Sequence, residues 1–582
     1  MKKLKHSTSN IKNNMPNAQI SNILGITFIL FLFSLYCHFV NSYLTINIAI
    51  TSLFYIFDIH YVKYSFAAAV IICSLYNIFV YLCAPARITY FLLIFLLALI
   101  YVANIGLYKV LGRGISWFDI EYGMVAFGTA YTGKYNSFEA FESFWIPFLF
   151  YITPLCIFSC VMVFNKKFWL QKNLSRTPFP IVKPFRLLLS ISIFGFVILS
   201  SFYTLGGNSA DFQKGWANRG PILGLINTFG AVPHFPESQE DATSLAIQSL
   251  KNLDSESGQR HTKRQVDHVI ILQMESTFCP NDIQNLSLSE INSDYNYATI
   301  YFCNQERSDN VRRFGVNIFG GNSWVSAIES LTGINLPWIG LAGTYANYSV
   351  TPYIDLSLFN VFRDAGFSTE VIYPVQTDRY NAETSYSNLG SESVVSVEDF
   401  DFNIPHDGRI SDQTVFQSIL RRINNAENNN FIFAQTNQNH APYHSSNMSE
   451  GEYFLEKLNL SGKYMSDFIS ELEKIQDNVI FIAYGDHKPS AGFKYKDGTE
   501  YQTFIGIWAN FQIETPPAFS RSDVWSSVFV PGLACALIVC EPPLYRLNFL
   551  AAESCGGNVK ECTSDAHSFY RGAALHNFNS NQ

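Results

Sequence analysis

His268-Val-Ile-Ile-Leu-Gln-Met274 is a short run, apolar almost throughout, that lacks polar–apolar alternation and ends directly on an acid, Glu275. A strand with one face in water alternates with a period of two, whereas a strand covered on both faces need not. Similar runs recur at Thr369–Tyr373, Asn430–Ala434 and Asn478–Ala483. Between them lie stretches of helical periodicity: Trp324–Leu331, Asp355–Ala365, Gln413–Ile423 and Tyr453–Ile475. Strands alternating with helices predict an α/β domain built on a parallel sheet, with its active site at the carboxyl ends of the strands.

That rule directs attention to the residues just past each run. Glu275 stands after the first, and Gly485-Asp486-His487 comes after the last. Two carboxylates and an imidazole on one rim form a divalent-metal site whose oxygen-rich character suits Mn2+ or Mg2+, while the histidine also admits Zn2+. Singly, Glu275 also reads as a capping residue and Asp486-His487 as a turn. A third stretch, Phe319-Gly-Gly-Asn-Ser-Trp-Val-Ser-Ala-Ile-Glu-Ser-Leu-Thr-Gly333, has two glycines for a tight turn and Ser323 at the start of a helix. Trp324, Ile328 and Leu331 would be its buried stripe and Gly333 its end. A helix start offers unpaired N–H groups and the positive end of the dipole to an anion. Serine is a weak nucleophile at neutral pH until a base or metal activates it. Locally, Ser323 equally reads as a helix N-cap, the commoner role of serine there.

Away from this region the chain changes character. Its 582 residues are 48% hydrophobic with a mean hydropathy of +0.09, high for a soluble protein. The long apolar runs all precede residue 205 or so. Spanning a bilayer takes roughly 20 apolar residues, and the stretches that qualify are Ile20–Val40, Tyr64–Ala84, Ile88–Tyr108, Phe144–Phe164 and Leu187–Leu205. Tyr43–Phe57 is shorter and reads as interfacial or re-entrant. Lys2, Lys3, Lys5 and Lys12, together with the Lys166–Arg186 cluster, belong on the cytoplasmic side. Five spans satisfy both and put everything after Leu205 outside. The predicted organisation is a helical transmembrane domain over 1–205, a linker or juxtamembrane segment over 206–265, and an extracytoplasmic α/β domain over 266–582. A net charge of −8 and a pI near 5.9 exclude the basic surface that nucleic acid requires.

In combination, these motifs resemble the lipoteichoic acid synthase and phosphoglycerol transferase branch of the sulfatase/alkaline phosphatase superfamily. The family's strand-end glutamate is matched by Glu275 and its Gly-Gly-x-Thr/Ser segment by Gly320–Gly333, with the nucleophile on Ser323. Its Gly-Asp-His is matched by Gly485–His487, and its substrate-contacting histidine segment by Asn439-His440-Ala-Pro-Tyr443. Ile410-Ser-Asp412 and Tyr386–Gly390 are also similar. Serine replaces the commoner threonine. Where the family carries an aromatic-Asn-Arg segment that grips the head group, this chain has Tyr380-Asn381-Ala382, with Arg379 close by as a substitute.

The resemblance implies a sulfatase-like, metal-dependent transferase in the bacterial inner membrane, with Mn2+ as the first expectation. Glu275, Ser323, Asp486 and His487 would hold the ion, with Ser323 and His440 catalytic and His440, Arg379 and Tyr380 binding substrate. The donor would be a membrane phospholipid such as phosphatidylglycerol, and the acceptor an extracytoplasmic glycan or envelope polysaccharide. A phosphodiesterase or phosphatase, a phosphoethanolamine transferase and a catalytically silent binding protein remain alternatives. The Cys/Ser-x-Pro-x-Arg segment that true sulfatases convert to formylglycine is absent at both Ser323 and Cys279. Outside the spans, Cys279, Cys303, Cys535, Cys540, Cys555 and Cys562 permit disulfides in an oxidising compartment, with Cys555–Cys562 the easiest pair.

Overall fold

The computed structural model describes residues 266–284, 302–303, 310–377, 379–400, 409–441, 443, 447–489, 491–538 and 543–562, plus Ile100, His567, Tyr570, Arg571 and Ala574. All but Ile100 belong to the second of two compact units into which the chain divides. Among the described residues no helix is long and apolar enough to cross a membrane. The five expected spans and the linker lie outside them, apart from Ile100, which is helical.

The core of the domain is one eight-stranded sheet. Its strands are β1 (His268–Met274), β2 (Val311–Gly315), β3 (Ser368–Ile372), β4 (Ser393–Val395), β5 (Asn430–Gln435), β6 (Val479–Gly485), β7 (Gln502–Ala509) and β8 (Val524–Ser526), in the order β4-β3-β5-β1-β6-β7-β2-β8. The four unalternated runs became the central strands β3, β5, β1 and β6, all parallel. Every residue of β1 and of β6 is buried. Their successive side chains enter different cores, as the pleat requires. Val269 and Ile271 join one, with Phe431, Phe433, Ile480 and Ile482; Ile270, Leu272 and Met274 join the other, with Ile432, Phe481 and Ala483.

Helices cover both faces. Against the first pack α1 (Ser323–Thr332), α2 (Leu358–Asp364), α6 (Val530–Ile538) and α7 (Pro543–Ser554), where Phe362 stacks on Phe431 at 4.3 Å. A short α3 (Ala382–Asn388) adds Ala382 and Tyr386 to the same core. Against the second face lie α4 (Asp412–Asn424) and α5 (Glu450–Leu472), joined by stacked Phe416 and Phe468 at 4.7 Å. Serine caps start these helices: Ser411 accepts from Thr414 N–H, and Ser449 forms a capping box with Glu452.

The sheet is not wholly parallel. β7 runs antiparallel to both β6 and β2. A parallel return needs a crossover, usually a helix, and the described residues between β6 and β7 contain none. The chain therefore turns back at the carboxyl rim, and that turn carries His487.

Candidate active site

Each strand that contributes to the site does so from its carboxyl end. Glu275 follows β1, and Asp486-His487 follows β6, the neighbouring strand. Ser323 lies beyond β2, which runs in the same sense as β6 because two antiparallel pairings separate them. His440 follows β5.

Local backbone makes the convergence possible. Ser276 turns the chain with φ 49°, a left-handed conformation uncommon for serine. Its N–H donates to Asp486 Oδ1 at 2.7 Å, and His487 N–H donates to the same oxygen at 2.8 Å. Gly485 must be glycine, because a Cβ there would run into the Thr277 carbonyl. Asn322, not Ser323, is the N-cap of α1, with φ 65° and no side-chain capping bond. Ser323 is the first helical residue, and its hydroxyl turns away from the helix.

That hydroxyl donates to Glu275 Oε2 at 2.9 Å and lies 3.3 Å from His487 Nε2. His487 Nε2 is 3.5 Å from Glu275 Oε1 and 3.6 Å from Asp486 Oδ2. Ligand atoms of Glu275, Asp486 and His487 all lie within 4.8 Å of one another. Glu275 and Asp486 are buried, and Ser323 is half-exposed, open to a substrate. Around the cluster, Gln273 donates to the Ser323 carbonyl at 3.0 Å, Ser326 Oγ donates to the Asp486 carbonyl at 2.8 Å, and Glu275 N–H donates to Thr436 Oγ1 at 3.0 Å. α1 is thereby pinned to the ends of both strands.

The electrostatics are those of a site built for a cation. Burial and the charge of Glu275 push the Asp486 carboxyl up to about 7. Burial also acts to raise Glu275, but His440, His487 and the hydroxyls of Ser276 and Ser323 outweigh it and hold the acid below its ordinary range. Asp486 Oδ2 has no hydrogen-bond partner despite being buried. His487 Nδ1 sits 3.1 Å from the Lys488 carbonyl and so carries the proton, leaving the Nε2 lone pair aimed at the other donors. Carboxylate oxygens, a hydroxyl and one imidazole nitrogen suit a divalent metal ion.

Other predicted residues stand nearby in the fold or fall outside it. His440 is half-buried, and its Nδ1 lies 2.6 Å from the Ala441 carbonyl, which leaves Nε2 unprotonated in the neutral ring. Tyr380 is half-buried, with its ring 5.0 Å from that of Trp324. Tyr380 and Asn381 are both left-handed, at φ 56° and 57°, and Asn347 bonds to each. Arg379 opens the same turn. Trp324 is half-buried and packs against the core that buries Ile328 and Leu331, and α1 ends at Gly333 as expected. Cys555 pairs with Cys562 and Cys279 with Cys303.

Sequence reasoning missed Gln273, Ser326, Thr436 and Lys488. Only Gln273 left a trace, as the single amide inside an apolar strand.

A three-layer α/β domain with a serine hydroxyl beside two acids and a histidine at its carboxyl rim defines a class, and the comparisons agree with it. Residues 317–515 match the family model described as Sulfatase. Over that stretch, which carries Ser323 and Asp486-His487, the chain is similar to the Sulfatase family. A capsular polysaccharide biosynthesis protein, RkpI, of Rhizobium meliloti is 25% identical over 181 residues, 30% of this chain and 34% of that protein. A putative cyclic beta-1,2-glucan modification protein of the same organism is 25% identical over 232 residues, 33% of this chain and 35% of its own length. The chain therefore spans about a third of the curated relatives it matches. Among solved structures, the Streptococcus pyogenes phosphoglycerol transferase GacH, in complex with sn-glycerol-1-phosphate, is 18% identical with a TM-score of 0.48, covering 60% of this chain and 95% of that one.

Proposed function

We propose that the protein is a membrane-bound transferase that moves a phosphoglycerol or related phospho-head group from a membrane phospholipid to an extracytoplasmic glycan, through a covalent intermediate on Ser323. The observation that carries this reading is the Ser323 hydroxyl at the start of α1, 2.9 Å from Glu275 and 3.3 Å from His487 Nε2.

In the first half-reaction Ser323 Oγ attacks the phosphorus of the lipid phosphodiester. An Oγ–P bond forms, the P–O bond to diacylglycerol breaks, and the leaving oxygen takes a proton. Glu275, already accepting the serine proton, serves as its first acceptor. His440 orients the donor, and the serine proton held by Glu275 passes to the departing alcohol. The first turn of α1 offers N–H donors and its positive dipole end to the phosphoryl oxygens as charge builds on them. In the second half-reaction an acceptor hydroxyl attacks the phosphorus, the Oγ–P bond breaks, and the acceptor's proton returns through Glu275 to Ser323. Glu275, Asp486 and His487 would hold one divalent ion, which supplies Lewis-acid charge stabilisation and a lowered pKa for a bound hydroxyl. Mn2+ is the proposed ion, with Mg2+ and Zn2+ compatible with the same donors.

Tyr380, tilted against Trp324 with ring centres 5.0 Å apart, forms a half-exposed aromatic wall beside the nucleophile, and Arg379 of the same turn is the proposed cation for the head group. The proposed location is the bacterial inner membrane with the domain outside, on the strength of the apolar first 205 residues and their charge asymmetry. The names of the two Rhizobium meliloti relatives support an envelope glycan as acceptor.

Full-length protein incubated with phosphatidylglycerol or phosphatidylethanolamine and Mn2+ should yield a Ser323 peptide whose added mass identifies the head group, and Ser323→Ala should yield none. Absence of any adduct with Mn2+, Mg2+ or Zn2+ would overturn the mechanism. Labelled lipid with a glycan acceptor then distinguishes transfer from hydrolysis, since label recovered only in a small water-soluble product excludes the transferase.

A further inference from the structure

The metal-facing orientation of His487 and the position of the nucleophile turn depend on one backbone carbonyl, that of Lys488. Its oxygen lies 3.1 Å from His487 Nδ1 and also accepts from Gly320 N–H at 2.9 Å. Gly320 has φ 74°, in the turn that leads to Ser323. Both lone pairs of that carbonyl are thus committed, one to each half of the site.

The Lys488 side chain has no solvent exposure. Its ammonium donates to Asp282 Oδ2 at 2.7 Å and to the Thr499 carbonyl at 2.6 Å. It also lies 4.7 Å from the centre of the Tyr495 ring and 5.4 Å from that of Phe278. Asp282 is itself held, since its carbonyl accepts from Lys496 N–H at 2.8 Å and Arg313 lies 3.4 Å from its other carboxylate oxygen. Three residues upstream, Cys279 is tied to Cys303.

We propose that Lys488 is a positioning residue: locked by Asp282 and the two rings, it holds the carbonyl that orients His487 Nε2 toward the metal position and sets the Gly320 turn at its distance. The proposal rests on Glu275, Asp486 and His487 being a metal site. Removing one partner of a buried ion pair destabilises a protein whatever else the pair does, so stability alone does not test it.

The test is Mn2+ titration by calorimetry, with the Co2+ visible spectrum, on full-length wild type and Lys488→Met in detergent micelles. Methionine keeps the length and packs on aromatic rings, and Asp282 retains Arg313. Lys488→Met should bind Mn2+ about 10- to 100-fold more weakly, the usual effect of losing an outer partner of a ligand. Its Co2+ spectrum should change at temperatures well below its metal-free thermal midpoint, which falls because one partner of a buried pair is lost. Affinity within twofold of wild type and an unchanged spectrum would overturn the proposal. Should the variant not fold, 15N-histidine spectra of the metal-free wild type decide: His487 protonated at Nδ1 supports the proposal and at Nε2 overturns it. Wild type that binds no divalent ion sinks both the metal reading and this one. Neither measurement uses lipid or glycan, so a failed transferase assay and a failed positioning test are separate results.

Discussion

Glu329 and Asp486 are both acids with no solvent exposure, and burial pushes both up to about 7, yet their surroundings are opposite. Glu329, on α1, is saturated: Oε1 accepts from Asn317 Nδ2 at 2.8 Å and Leu336 N–H at 3.0 Å, and Oε2 from Ser527 Oγ at 2.6 Å. Asp486 shares its pocket with another carboxylate and keeps one oxygen without a partner. Neutral donors complete the first acid, which ties the turn after β2 to α1 and to the segment after β8. The second keeps a partnerless oxygen, the place a cation would fill in the proposed metal site. Burial alone therefore does not identify a functional acid; the unfilled valence of its neighbours does.

The strongest way to break this contrast is Asp486→Asn. It should reduce Mn2+ affinity by more than the roughly 100-fold typical of an outer partner and abolish the Ser323 adduct, while leaving the metal-free protein no less stable, because a repulsion between carboxylates is removed. Calorimetry and thermal melts of the same preparation check both; a strongly destabilised metal-free variant would mean Asp486 is structural like Glu329. Glu329→Ala should do the reverse. It strands three donors and should cost about 3 kcal/mol, lowering the thermal midpoint and leaving Mn2+ affinity unchanged.

A smaller effect is metal-induced stabilisation. Ion at about 100 times its dissociation constant should add about 2.7 kcal/mol to the folded state, and Asp486→Asn should lose this response while Glu329→Gln keeps it. Smallest is the pH effect. Glu329 titrates near 7 folded against its usual 4.5, so between those values the folded state holds the extra proton. Its contribution is then greatest below 4.5 and is lost as pH rises toward 7, with a slope of at most about 1.4 kcal/mol per pH unit. Glu329→Gln should flatten melting midpoints across that window relative to wild type, and an unchanged profile would show that the three donors keep the acid ionised throughout.

Much of the sheet was legible in sequence because a doubly covered strand is apolar nearly throughout, as β1, β5 and β6 are, while β3 is apolar only at Val371 and Ile372. The strands that escaped are those without this constraint. β2 carries Arg312 and Arg313, β4 and β8 are three residues long, and β7 comes after a turn that no helix announces. Of the site, Glu275, Ser323, Asp486 and His487 were found because each stands at a position that a motif or a strand end marks. Lys488 was not, since its contribution is a carbonyl that every residue possesses, and only the burial of its side chain distinguishes it.

The sequence by itself determined the α/β class, the four central strands and the residue types able to bind a divalent ion, because periodicity and ligand chemistry are local properties. It left Ser323 divided between helix cap and nucleophile, since both roles call for a serine at the start of a helix. Tertiary structure takes the cap from it: Asn322 is the N-cap in a left-handed conformation, and the Ser323 hydroxyl turns to Glu275 and His487, where the proposed chemistry needs it. That choice depends on the ends of β1 and β6 lying side by side, a contact between residues more than 200 positions apart that no local pattern encodes.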